Sequence, residues 1–128
     1  MNSVDRLVRT MNPLLHGGAY VFCVLAPGAT VPAGAIAVFR EEEATTIVIE
    51  HNDAEAVRLD PLYVAAWITL TVHSELDAIG FLAAVTNALA AGGISCNVFS
   101  AVNHDHLFVP YEQGQRAVEI LRALQLSA

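Results

Sequence analysis

Two Gly-Gly pairs, each preceded by an amphipathic helical pattern, constrain the fold of this chain more than any other sequence feature. Gly17-Gly18 and Gly92-Gly93 lie 75 positions apart, and an apolar segment with one cysteine follows each pair. The same offset matches Val4 with Ile79, Leu7 with Leu82, Val8 with Ala83, Met11 with Thr86 and Leu14 with Leu89. We interpret both Gly-Gly pairs as helix stops. The matched helix faces then indicate duplication of one structural unit.

In the first half, the apolar stripe from Val4 to Leu15 predicts a helix, with Pro13 disfavouring the α conformation of the residue before it and Gly17-Gly18 closing the segment. Short apolar segments bounded by Pro, Gly or charged clusters predict three strands, Tyr20–Leu25, Ala35–Arg40 and Thr45–Glu50. A short helix is then expected from Asn52 or Asp53 to about Leu59, because Asp60-Pro61 stops it.

In the second half, polar and apolar residues alternate from Trp67 to His73, which is typical of a strand with one apolar face. Ser74 or Asp77 is predicted to cap the next helix. That helix would bury Ile79, Leu82, Ala83, Thr86, Leu89 and Ala90. Strands are predicted over Ile94–Val102 and His106–Val109, and a last helix begins at Pro110. Its predicted buried residues are Ala117, Ile120, Leu121 and Leu124.

The order strand, helix, strand, strand, helix predicts an α+β fold of the ferredoxin-like βαββαβ type, with helices on one face of each antiparallel sheet. We divide the chain into an N-terminal unit, residues 1–61, which is truncated or permuted, and a C-terminal unit, residues 62–128. The segment from Leu62 to His73 is long enough to contribute to both sheets. Units of about 60 residues rarely hold a sufficient core alone, so we expect them to pair within the chain or between chains.

The charge balance of this chain excludes some classes of partner. Six arginines, no lysine and thirteen acidic residues give a net charge of −7. Because the arginines are scattered, neither nucleic acid nor an anionic membrane is an expected partner. Met1–Arg6 lacks an apolar leader core, and no apolar run reaches the roughly 18 residues of a membrane span. With Cys23 and Cys96 interpreted as reduced core residues, we expect a cytoplasmic protein.

Several motifs together resemble the ACT-domain family. They are Trp67–Ser74, Gly80, Ala90–Val98 and His104–Pro110 in the second half, with Gly18–Phe22 and Phe39–Glu43 in the first. More narrowly, the chain resembles small bacterial two-ACT proteins long classed as a domain of unknown function, and its architecture is similar to that of the CASTOR arginine sensors. The resemblance covers nearly the whole chain.

This resemblance implies a non-catalytic regulatory protein that binds a small metabolite, an amino acid foremost, at an interface between ACT units, and that forms a homodimer. Carried onto this chain, the ligand-binding residues are His73, Ser74, Glu75, Leu76, Asp77, Ala78 and Gly80, followed by Ile94, Ser95, Cys96 and Asn97. The first loop lacks the Pro found in many ligand-binding ACT domains. Neither a cofactor nor a metal is expected.

The residues of this loop support two interpretations. A ligand carboxylate suits the helix N-terminus near Gly80, and Glu75 or Asp77 suits an α-amino group. Alternatively, Asp77 only caps its helix and Glu75 faces water.

The segment His104-Asp105-His106 could belong to a metal site, for which His73 and Cys96 would have to supply the remaining ligands. The simpler interpretation is the end of a β-hairpin. On a strand, His104 and His106 would share a face while Asp105 faced away.

A second function class for the whole chain is a structural module that only dimerises or docks onto an enzyme.

Overall fold

The computed structural model describes residues 3–128; Met1 and Asn2, which open the stretch considered above for a leader, lie outside the described residues. The helices are α1 (Ser3–Thr10), α2 (His51–Ala56), α3 (Phe81–Ala91) and α4 (Gly114–Ser127), with a 3-10 turn over Tyr111–Gln113. The strands are β1 (Pro13–Leu15), β2 (Tyr20–Leu25), β3 (Ala37–Arg40), β4 (Thr45–Glu50), β5 (Tyr63–Leu70), β6 (Asn97–Ser100) and β7 (Asp105–Pro110). No helix in this described part is long and apolar enough to cross a membrane.

The chain packs into two compact units. The inserted unit is Gly17–Ala65, and the split unit combines Met1–His16 with Ala66–Ala128. This grouping differs from a division at residue 61, because α1 packs against α3 and α4 and buries Val8 and Met11 in their core. The division into 1–61 and 62–128 stays a prediction about the duplicated units.

The inserted unit is an antiparallel sheet in the order β3, β4, β2, β5, with α2 against it. β2 and β4 have the predicted bounds and pair along their full length, from Tyr20 with Glu50 to Leu25 with Thr45. Buried residues alternate along β2, as in a strand with one buried side, whereas β4 buries Val48 as well as Ile47 and Ile49 and is covered on both sides. The buried set is Val21, Cys23, Leu25, Ile47, Ile49 and Ala54.

The split unit contains the predicted order of strand, helix, strand, strand and helix, formed by β5, α3, β6, β7 and α4. β7 lies between β5 and β6, and β1 adds a short strand at Ile68–Leu70 of β5. The helices cover one face of this sheet, where β5 and β7 bury Ile68, Leu70, Leu107 and Val109. Since side chains alternate along a strand, Trp67, Thr69, His106 and Phe108 lie on its second face.

The strand β5 serves both units, as predicted. Tyr63–Ala65 pair with β2 in the inserted unit, whereas Ile68–Leu70 pair with β1 in the split unit. The antiparallel strands and the helices on one sheet face confirm the α+β fold class.

The prediction of one helix from Val4 to Leu15 is wrong beyond Thr10. Asn12 adopts a left-handed backbone with φ of 41°, and Pro13 then begins β1. Proline has no backbone N–H to donate and disfavours the α conformation of the residue before it. Gly17-Gly18 therefore connects two strands and is not a helix stop. Gly92-Gly93 does end α3, with Gly93 at φ of 77°.

The predicted buried face of α3 is correct at Leu89, which is fully buried, and at Leu82, which packs partly buried against the core, but Ile79, Ala83 and Ala90 are exposed. The helix begins at Phe81, so its core positions are Phe81, Val85 and Leu89, four residues apart, and Ile79 is 89% exposed. The remaining differences lie at the ends of elements. The second-half strands begin at Asn97 and Asp105. In α4, Val118 is fully buried together with the predicted Ala117 and Leu121, and the predicted Ile120 and Leu124 pack partly buried against the same core.

Candidate ligand-binding site

The site predicted from sequence centres on the loop between β5 and α3. The loop ends at Gly80, which precedes the first turn of α3 with φ of 95°. A side chain at this position would be strained, and its Cβ would lie 3.3 Å from Val4 Cγ2 of α1. Neither Ser74 nor Asp77 caps α3, contrary to the prediction, because Gly80 occupies the N-cap position without any side-chain hydrogen bond.

The buried polar centre of the loop is a hydrogen bond between Ser74 and Asp105. The Ser74 hydroxyl donates to Asp105 Oδ2 at 2.9 Å, and both residues are more than 90% buried. Asp105 is the first residue of β7, 31 positions further along the chain. Sequence reasoning considered Asp105 only as a turn or metal residue and so missed it in this site.

A cavity of about 100 Å³ lies directly beside this pair. Its walls are the loop, the start of α3 from Gly80 to Ala83, Ser100 at the end of β6, and Asp105. The first N–H groups of a helix lack partners within the helix, and α3 has no capping side chain to satisfy them. Helix N–H groups and a carboxylate therefore border the same small cavity.

A second cavity, of about 280 Å³, lies on the α1 side of the loop. Ser3, Arg6 and Leu7 of α1 line it together with Glu75 and Asp77 of the loop. All these side chains except Leu7 are exposed, so this cavity is an open, charged depression.

The rim of the loop holds the other predicted residues of the first segment. His73 Nδ1 lies 3.3 Å from the Asn103 carbonyl oxygen, and its Nε2 lies 3.4 Å from Glu75 Oε1. Leu76 is 65% exposed and Ile79 is 89% exposed. Ala78 donates its backbone N–H to the Glu75 carbonyl and so closes a turn. The rim thus combines a histidine–carboxylate pair with exposed apolar side chains.

The second predicted segment, Ile94–Asn97, does not meet the first within one chain. It follows the C-terminal end of α3, whereas Gly80 precedes the N-terminal end. An 11-residue helix is about 16 Å long, so α3 separates the two segments by that distance. Ile94 is buried in the core, and Ser95 and Asn97 are exposed. Burial raises the pKa of the Cys96 thiol to about 11, although a backbone hydrogen bond from Phe108 lowers this pKa by a smaller amount.

The segment His104-Asp105-His106 is split between two environments. His104 and His106 share a sheet face, with ring centroids 6.4 Å apart, while Asp105 turns to Ser74, as the strand alternation predicts. His106 Nδ1 accepts a hydrogen bond from the Trp67 indole at 3.1 Å. Within residues 3–128, no three His, Cys, Asp or Glu side chains are grouped so that they could hold a metal ion.

The fold is that of an ACT-type module, and comparison with protein-family models agrees. The chain belongs to the ACT-domain family: two ACT-domain models match residues 1–66 and residues 63–123. The prediction of two tandem ACT domains with a ferredoxin-like fold is therefore confirmed. ACT domains are regulatory modules that typically bind small ligands and dimerise.

Several solved structures share the fold of this chain. The Vibrio cholerae protein VC0802, a protein of unknown function described as a possible transport protein, is 38% identical, with a TM-score of 0.80 over 96% of both chains. The regulatory subunit of aspartate kinase from Thermus flavus is 9% identical, with a TM-score of 0.63 over 90% of this chain and 97% of that one. E. coli aspartokinase III, solved with aspartate and ADP, is 11% identical, with a TM-score of 0.61 over 88% of this chain and 32% of that one. Among curated proteins, no sequence matches this chain.

Proposed function

We propose that this protein is a non-catalytic sensor that binds a small amino acid in the cavity beside Ser74 and Asp105, at an interface between two ACT units. The observation that carries the proposal is the pairing of a helix N-terminus with a buried carboxylate around one small cavity. An α-amino acid carries the complementary charges, a carboxylate next to an ammonium group.

The carboxylate of such a ligand would accept hydrogen bonds from the free N–H groups in the first turn of α3. Helix N-termini favour anions because of these N–H groups and the helix dipole. The ammonium group would donate to Asp105, a charge-assisted hydrogen bond. Asp105 replaces Glu75 and Asp77 as the preferred partner, because it is buried beside the cavity while both of those side chains are exposed.

The size of the cavity supports a small ligand. Its volume of about 100 Å³ is below the roughly 300–1,000 Å³ of pockets that hold drug-sized molecules. A nucleotide or a large cofactor is therefore a poor match. Among the solved relatives, E. coli aspartokinase III is described in complex with aspartate, which is an amino acid of modest size.

A second copy of the chain would complete the site. The segment Ile94–Asn97 lies a full helix length from Gly80, so both segments contact one ligand only if they come from two different copies or units. The exposed side chains of Leu76, which lines the cavity, and of Ile79 in the same loop favour such an interface, since association would remove them from water. The ligand would regulate this dimer by binding one arrangement more tightly than another. Both cysteines are free thiols, which suits the reducing environment of the cytoplasm.

The test is a thermal-shift screen of the twenty common amino acids on the full chain, followed by calorimetry of any that stabilises it. A ligand at 100 times its Kd should stabilise the protein by about 2.7 kcal/mol. Asp105→Asn should lose the response, whereas Glu55→Gln, which changes an exposed carboxylate of α2, should keep it. An unchanged melting temperature with every amino acid would refute the proposal.

The exposed apolar rim also favours a second candidate, a dimerisation or docking module without its own ligand. Ile79→Asp separates the two functions, because it places a charge at the rim and leaves Asp105 untouched. A sensor should lose both its dimer and most of its ligand affinity in this variant. A purely structural module should lose its dimer and show no ligand response even as wild type.

A further inference from the structure

The second face of the split unit's sheet carries a polar network that the proposed ligand site does not use. It contains His16 after β1, Trp67 and Thr69 on β5, and His106 on β7. Thr69 is 7% exposed, and the other three side chains are partly buried. The His16 ring stacks on the Trp67 indole with centroids 3.6 Å apart and an interplanar angle of 13°.

Three short contacts join these side chains in a row. The Trp67 indole N–H donates to His106 Nδ1 at 3.1 Å. Thr69 Oγ1 lies 3.1 Å from the same Nδ1 and 2.8 Å from His16 Nε2. His106 Nδ1 is thus the atom on which two of the three contacts converge.

The chemistry of indole fixes the protonation state of His106. An indole nitrogen can only donate, so His106 Nδ1 must carry no hydrogen and its proton must lie on Nε2. The remaining contacts are consistent with Thr69 donating its hydroxyl hydrogen to His106 Nδ1, whose single lone pair Trp67 and Thr69 then share, and accepting a hydrogen from His16 Nε2. A positively charged His16 keeps its bond in this arrangement, since its Nε2 already donates. A positively charged His106 cannot accept from Trp67, because both of its ring nitrogens become donors, and its contact with Thr69 must reverse so that Nδ1 donates to the hydroxyl oxygen.

We propose that His106 is a proton-operated switch, in which protonation of Nδ1 breaks the hydrogen bond from Trp67, reverses the one with Thr69 and rearranges this face of the sheet. The proposal does not rest on the amino-acid ligand, because its hydrogen bonds lie on the opposite face of the sheet from the Ser74–Asp105 pair. Its trigger is an imidazole, the side chain that changes charge in the physiological pH range.

The surroundings of His106 place this transition on the acidic side of neutrality. Burial lowers the pKa of His106 below its usual 6.5, His104 lowers it further, and the adjacent Asp105 raises it. Burial, followed by the charge of His106, also lowers the pKa of His16. The neighbouring strand β6 faces His106 with Phe99, which does not titrate. The neutral network is therefore the state at pH 7 and above, and it opens as the pH falls below 6.5.

Trp67 is the single tryptophan of the chain, so its fluorescence reports directly on the switch. We would record emission of the full chain from pH 8 to pH 4.5 in the presence of EDTA, with far-ultraviolet circular dichroism of the same samples. The expected result is one emission transition with a midpoint below 6.5 and no loss of secondary structure at that midpoint. His106→Gln should abolish the transition, because the amide oxygen still accepts from indole but does not titrate in this range.

Two matched variants and one spectroscopic measurement complete the test. His104→Gln and His16→Gln should keep the emission transition, since both retain the bond between Trp67 and His106. Nitrogen NMR of the imidazole rings at pH 8 should show His106 protonated on Nε2. An emission transition that persists in His106→Gln, a wild-type chain without one, a simultaneous loss of secondary structure, or His106 protonated on Nδ1 would each overturn the proposal.

Discussion

Replacement of Ser74 by Ala tests the buried hydrogen bond at the centre of the candidate site. The substitution removes the hydroxyl that donates to Asp105 Oδ2 at 2.9 Å, and leaves a carboxyl group that is only 5% exposed without this partner. A hydrogen bond to a charged group contributes about 1.5–3 kcal/mol, and an unsatisfied buried acceptor costs a similar amount. We therefore expect the free energy of unfolding of Ser74→Ala to fall by about 2 kcal/mol.

Urea denaturation of the full chain measures this loss, and a double-mutant cycle assigns it to the pair. Combining Ser74→Ala with Asp105→Ala should give a coupling energy of about 1.5–3 kcal/mol. The matched control is Ser100→Ala, which changes an exposed serine of the same cavity and should alter stability by less than about 0.5 kcal/mol. If Ser74→Ala costs no more than Ser100→Ala, or if the coupling energy is below about 0.5 kcal/mol, the pair does not stabilise the site.

Three further predictions concern other parts of the split unit. Gly114→Ala should lower the free energy of unfolding measured in urea by about 1 kcal/mol. The added Cβ would lie 2.8 Å from the Ala66 Cβ, and this overpacking costs more free energy than the higher helix propensity of alanine contributes. A more stable variant would contradict this prediction. The pKa values of His16 and His106 are lower in the folded chain than in the unfolded chain, so the unfolded chain binds protons more readily. The free energy of unfolding, measured in urea, should therefore fall as the pH drops below 6.5. A free energy of unfolding that does not change with pH would refute this prediction. Alkylation of Cys96 at pH 8 should be about 100-fold slower than that of a free thiol, since its pKa is about 11; an equal rate would show the thiol to be accessible and ionised.

Elements with strong local patterns were predictable from the sequence. β2 and β4 have the predicted bounds, because each is a run of apolar and β-branched residues bounded by turn residues. The Gly-Gly stop of α3 was also predicted, since it needs only a residue that accepts a positive φ. The fold class followed from the order of these elements.

Elements defined by a distant partner were not predictable in this way. β1 has only three residues and is a strand because it pairs with Ile68–Leu70. Its apolar side chains continued the helical period of α1 by coincidence. The start of α3 at Phe81 likewise depends on the backbone conformation of Gly80. A helix that began after Ser74 or Asp77 would bury a different set of residues.

The candidate site was half predictable. The loop from His73 to Gly80 does border two cavities, and the resemblance to ACT domains pointed to it. Asp105 was missed because its contact with Ser74 is made across 31 positions. Strand alternation could have predicted this contact in part. In a strand that begins at Asp105, the carboxylate lies on the opposite face from His104 and His106, which is the side covered by helices.

The division of the split unit into two segments also sets the order in which this chain can fold during synthesis. The inserted unit is one continuous segment, so all of its strands exist once residue 65 has been made. The core around Val8 and Met11 is complete only when Leu121 of α4 is available, more than a hundred residues later. Contacts this distant in sequence slow folding, because a long loop must close before they form. On the ribosome, the first helix therefore stays without its core until Leu121 has been synthesised.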